Sequence, residues 1–151
     1  MRVERRNPVA VWVQLQLILH AVTKIYVVDG GQVRTLEDFW KALMNAFDGP
    51  GRQYFGRNFD ALADCLSAGG PGAPEDDEYT VEWRDHTLSR EYLGYPETAR
   101  RLELRLASCQ PMNRPAMEAR LAAVRAEQGP TIFDQLVEIF ERNAPGKLRL
   151  C

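Results

Sequence analysis

Tyr54-Phe55-Gly56-Arg57-Asn58-Phe59-Asp60-Ala61-Leu62-Ala63-Asp64-Cys65-Leu66 begins as an aromatic–glycine turn and continues as a short helix. Asn58 suits the N-cap, because its side-chain oxygen can accept a backbone N–H that the first turn leaves without a partner. Phe59, Leu62 and Leu66 recur at i, i+3 and i+7, the spacing of one buried stripe. Asp60 and Asp64 share another face. Like charges four residues apart cost an isolated helix roughly 0.2–0.5 kcal/mol. Asp60 has an offsetting gain, since a first-turn carboxylate is favoured by the helix dipole; Asp64 has none. Two carboxylates held on a rigid element, about 5–6 Å apart at Cβ, form a surface suited to a cationic site.

The same run, with Tyr54-Phe55-Gly56 followed by Asn58, Asp60-Ala61-Leu62 and Asp64-Cys65-Leu66, resembles the second-helix signature of the barstar family, intracellular protein inhibitors of the ribonuclease barnase. Tyr26-Val27-Val28-Asp29-Gly30 resembles the family's first strand and turn, and Thr35-Leu36-Glu37-Asp38-Phe39 the start of its first helix. Val81-Glu82-Trp83-Arg84 resembles the second strand, and Phe133 to Phe140 the last helix. The resemblance is close from Lys24 to His86 and looser from Thr131 to Cys151. It does not extend to Met1–Thr23 or to most of Thr87–Pro130.

The resemblance implies a partner-binding surface in which Asp64 is the central anchor and Asp60 a second acidic contact. It places Tyr54 as an aromatic contact at the cleft edge, Ser67 at a hydroxyl contact, and Glu141 near an acidic contact late in the last helix. Two departures stand out. Ala63 occupies the place of a large aromatic in the type member. Glu141 follows Phe140 directly, so Arg142 takes the matching acidic position.

The chain's 151 residues are enough for one domain with a core that needs no covalent staples. A net charge of −2 conceals an uneven distribution. Ile25–His86 carries twelve acidic and five basic residues, whereas Thr87–Pro130 carries five acidic and seven basic. An acidic functional half argues against direct nucleic-acid binding, which requires a basic face. It suits a partner with a basic cleft, because complementary fields raise encounter rates. Cys65, Cys109 and Cys151 show neither disulfide pairing nor metal-ligand spacing, and reduced cytosolic thiols are the simplest reading. Cys65 is expected to pack as a small hydrophobe beside Leu62 or Leu66.

Along the chain, Lys24–Val28, Tyr79–Trp83 and Lys147–Cys151 read as strands. Thr35 with Asp38, and Thr131 with Asp134, read as capping boxes. The first opens a helix burying Leu36, Phe39, Leu43 and Phe47; the second opens what reads as the most buried helix. Between them, Leu88–Leu93 reads as a short helix, Pro96 opens another through Leu106, and Asn113 caps a third ending before Gln128-Gly129-Pro130. Strands alternating with helices imply an α/β fold, a small three-stranded parallel sheet covered by helices. The domain is read as residues 24–151 with a helical insert at 87–130. Glu75-Asp76-Asp77-Glu78 reads as a solvated loop. Residues 1–23 read either as an extra strand or helix with alternating apolar residues or, the favoured reading, as an extension outside the domain from an over-extended gene start. Their apolar run is too short and polar for a membrane span, and deleting them is expected to leave stability unchanged.

The chain carries no glycine-rich phosphate loop, H-x-x-E cluster or calcium-loop spacing, so no cofactor, metal site or catalytic residue is expected. His86, after Trp83-Arg84-Asp85, reads as a strand-end residue. The expectation is a non-enzymatic cytoplasmic immunity or antitoxin protein, acting as a monomer, one to one, on a basic ribonuclease or toxin nuclease. The alternative is an adapter domain that presents the same acidic helix to a non-nuclease partner. A metal-dependent hydrolase is a third, weaker reading.

Overall fold

The computed structural model describes residues 23–151; the expectation made for the N-terminal extension lies outside them. Strand β1 (Lys24–Asp29) leads into a one-turn 3-10 segment at Gly30–Gln32 and helix α1 (Leu36–Phe47). A second 3-10 turn at Arg52–Tyr54 delivers helix α2 (Phe59–Ser67), and strand β2 (Tyr79–Arg84) follows. Helices α3 (His86–Tyr92), α4 (Tyr95–Leu106), α5 (Arg114–Arg125) and α6 (Ile132–Asn143) then precede strand β3 (Leu148–Leu150). The strands form one parallel sheet in the order β1-β2-β3. Tyr26 lies opposite Val81 and Val28 opposite Trp83, while Val81 and Trp83 pair onward with Leu148 and Leu150. This is the expected α/β fold.

Alternation decides which face of the sheet meets the helices. Tyr26 and Val28 of β1 are buried with Tyr79, Val81 and Trp83 of β2, whereas Ile25 and Val27 remain exposed on the opposite face. Trp83 is fully buried and packs between Phe39 and Phe133, with ring centroids 4.9 and 5.0 Å away. Its indole N–H donates to Ser89 Oγ at 2.9 Å, and that hydroxyl donates to the Gly30 carbonyl at 3.0 Å. The chain therefore joins β2, α3 and the turn after β1 with every polar atom partnered. Gly30 has no room for a side chain, because a Cβ would strike the Arg84 carbonyl.

Both capping boxes form as expected, with Thr35 accepting from the Asp38 N–H and Thr131 from the Asp134 N–H. The expectation that α6 is the most buried helix is corrected. It buries four residues, whereas α1 buries six, including Trp40 and Met44 beside the expected stripe. Trp40 packs on Phe55 and Phe59, and Met44 lies against Gly72 of the loop after α2, so the apolar face of α1 is wider than a single i, i+3, i+7 row. The expectation for Asn113 is corrected in part. It precedes α5, but its side chain makes no capping bond. A 3-10 turn at Pro111–Asn113 already holds it at φ −92° and ψ −13°, and a capping residue needs extended backbone to aim its side chain at the first turn.

Helices α4 and α5 enclose a small apolar cluster of Leu102, Leu121 and Val124, apart from the main core. Two buried polar residues of α4 attach this pair to the rest. Glu97 Oε2 accepts the Leu36 N–H of α1 at 2.8 Å, and Thr98 Oγ1 accepts the Ile132 N–H of α6 at 2.9 Å. Each fills an acceptor position that a helix N-terminus otherwise leaves empty.

Candidate functional site

Local sequence builds α2 as expected at its start. Asn58 Oδ1 accepts the Ala61 N–H at 2.7 Å, while its amide nitrogen donates to the Gly56 carbonyl at 3.1 Å. Leu62, Cys65 and Leu66 are buried, and Phe59 of the expected stripe is half-buried. Trp40 of α1 packs edge-on against both Phe55 and Phe59, at centroid distances of 5.6 and 6.0 Å. One indole thus fixes the turn before α2 and the first residue of the helix together. The other flank of α2 lies against α6.

This anchoring leaves Asp60, Asp64 and Ser67 exposed. Among the described residues, neither aspartate side chain makes a hydrogen bond or ion pair. Neither carboxylate is therefore committed to an ion pair within the described structure. Ser67 donates its hydroxyl proton to the Ala63 carbonyl at 2.7 Å, which leaves its lone pairs open to a partner's donor. Tyr54 is 75% exposed, while its neighbour Phe55 is buried.

The acidic ridge is flanked by two depressions. One, of about 400 Å³, lies between Asp64, Phe55-Gly56 and the Gly69-Gly70-Pro71 loop. The other, of about 320 Å³, lies between α2 and α6, where Asp60 and Ala63 face Glu138, Ile139 and Arg142. Glu141 is exposed on α6 and does not line that depression. Glu138 does, and Arg142 holds it in an ion pair at 2.6 Å. Sequence reasoning passed over Glu138; its position four residues before Arg142, ion-pairing distance on a helix, was the available signal.

Cys65 fits the expected small-hydrophobe role. It is buried, and its thiol donates weakly to the Pro71 carbonyl at 3.4 Å. Burial, and then the adjacent Asp64 charge, push the thiol pKa up from 9.0, which keeps it protonated and unreactive near neutral pH. His86 begins α3, with Nδ1 2.9 Å from the Cys151 carbonyl. The acidic run is exposed but tied down: Tyr26 donates to Asp76 at 2.9 Å, and Lys147 Nζ to the Asp77 carbonyl at 2.5 Å. Among the described residues, no group of three or more His, Cys, Asp or Glu is placed to hold a metal ion, and no helix is long and apolar enough to cross a membrane.

A parallel three-stranded sheet bearing an exposed acidic helix defines a barstar-like protein. The family model described as Barstar (barnase inhibitor) matches residues 23–107, and the chain belongs to that family. The match runs from β1 through α4, including the whole acidic helix. It extends 21 residues past His86, where the close resemblance was drawn, and stops before α5 and α6. No curated protein matches the chain.

Proposed function

We propose that this chain inhibits a ribonuclease by seating the outward face of α2 in the enzyme's basic active-site cleft. The observation that carries the reading is the unpaired state of Asp60 and Asp64 on a helix whose other faces are fixed by the core. A cleft that binds and cleaves a phosphodiester must present cationic groups. Two rigid carboxylates can occupy the phosphate positions and pair with guanidinium groups there. Such pairs lose hydration on burial, so affinity requires nearly complete hydrogen bonding across the interface. Ser67 and Tyr54 lie at either end of the ridge as additional contacts, and Glu141 adds acidic charge on α6. The protein acts in the cytoplasm as an immunity protein, one molecule to one nuclease, with no catalysis of its own.

Titration of RNA cleavage against a panel of small basic ribonucleases that includes barnase tests the proposal. Cleavage by at least one enzyme should cease near an equimolar ratio. Asp64→Ala should then weaken inhibition by about 2 kcal/mol or more, the range of an interface hot spot; Asp60→Ala should cost less. If every enzyme remains active in excess inhibitor, or Asp64→Ala inhibits as well as the native chain, the surface has been assigned wrongly.

A further inference from the structure

A third concavity opens beside the N-terminus of α2, where α4, α5 and α6 meet α1. It has a volume of about 390 Å³, within the range of small-molecule sites. Arg57, Arg101, Arg105 and Arg120 line it, with Asp60 as the one acidic lining residue. Four arginines around one cavity against a single lining carboxylate leave it with an excess of positive charge that an anion would offset.

Their existing partners are few. Arg57 and Arg105 make no side-chain hydrogen bond or ion pair among the described residues. Arg120 donates to the Pro130 carbonyl at 2.5 Å, which orients it without neutralising it. Arg101 pairs through one terminal nitrogen with the half-exposed Glu37 at 2.9 Å. Its Nε is the one buried side-chain nitrogen or oxygen in the described structure without a hydrogen-bond partner. Buried charged donors are rarely left unpaired, and rotation of this side chain into the cavity would supply an acceptor once an anion is present.

The remaining surface is apolar, provided by Trp40, Phe59, Leu102 and Ile132. Inorganic ions have no use for such a floor, whereas a flat ring carrying phosphate does. We propose that this cavity binds a small phosphorylated ligand of nucleotide type, its phosphates held by the arginines and its ring against the apolar floor. Guanidinium forks match phosphate oxygens two at a time. The site does not depend on the nuclease reading, although the two surfaces share Asp60.

Calorimetric titration of the full chain with ADP, inorganic pyrophosphate and adenosine tests the proposal. ADP should bind more tightly than pyrophosphate, and adenosine not measurably. Arg105→Gln should weaken ADP binding about tenfold or more, the effect of losing one charge-assisted hydrogen bond. Arg57 sits at φ +49°, a left-handed backbone that asparagine tolerates well. Arg57→Asn should therefore fold normally and lose affinity similarly, while Arg149→Gln, on β3, should bind as the native chain does. Asp60→Asn should bind ADP a few-fold more tightly while inhibiting a nuclease less well, so the two proposals move in opposite directions. Failure of ADP and pyrophosphate to bind, equal binding of adenosine, or affinity unchanged in Arg105→Gln and Arg57→Asn would overturn the assignment.

Discussion

Replacing Glu97 by alanine tests how the α4–α5 pair is joined to the main core. Glu97 is 6% exposed, and one carboxylate accepts both the Leu36 N–H and the Arg100 guanidinium. Without it, the Leu36 N–H is left buried and unpaired at the start of α1, a loss of roughly 1–3 kcal/mol. Arg100 also loses its pair with Glu97, but it is 41% exposed and retains Glu37 at 2.7 Å, so this part is limited to about 0–1 kcal/mol. The expected destabilisation is about 1–4 kcal/mol. For a domain of this size that lowers the thermal midpoint by roughly 3–12 °C. Glu97→Gln keeps an acceptor for Leu36 and should lose only about half as much. Urea denaturation followed by circular dichroism measures both. A Glu97→Ala stability within about 0.5 kcal/mol of native, the range of an ordinary surface substitution, would refute this account.

Burial, reinforced by the hydrogen bond to Asp76, pushes the Tyr26 phenol from 10.0 up to about 12. The folded state therefore holds this proton more tightly than the unfolded chain. The stability it confers is complete below about pH 10 and is lost as pH rises through about 12. Tyr79 is shifted in the same direction, so comparing native protein with Tyr26→Phe isolates one phenol. The native advantage in urea midpoint should shrink between pH 9 and pH 12, and a constant difference would contradict the assignment. Nuclease association should slow markedly from low to physiological ionic strength while dissociation changes less, because the acidic field acts mainly on encounter. Stopped-flow rates insensitive to salt would argue against a basic cleft as the target.

The elements legible from sequence are those whose causes lie within a few residues. Thr35 and Thr131 find their capping partners three residues on, and Asn58 finds Ala61. The aspartates of α2 could be placed on a face apart from Leu62 and Leu66 because helical period alone separates them. Asn113 shows the limit even of local reading: the preceding 3-10 turn sets its backbone before its side chain can choose a partner. α1 buries Trp40 and Met44 as well as its expected stripe because Phe55, Phe59 and the loop at Gly72 pack against them, a fact outside its own period. Nothing within a few residues of Glu97 or Thr98 marks them as buried. Their acceptors are needed by α1 and α6, 61 and 34 residues away. Arg57 stands in the turn before α2, while Arg101 and Arg105 belong to α4 and Arg120 to α5, and no spacing reveals that they meet. Sequence by itself determined the strand–helix alternation and the acidic ridge, since backbone period and nearby capping act within a few residues. Tertiary packing alone decided which buried acceptors complete distant helix ends and which charges converge, because both depend on where separate elements dock.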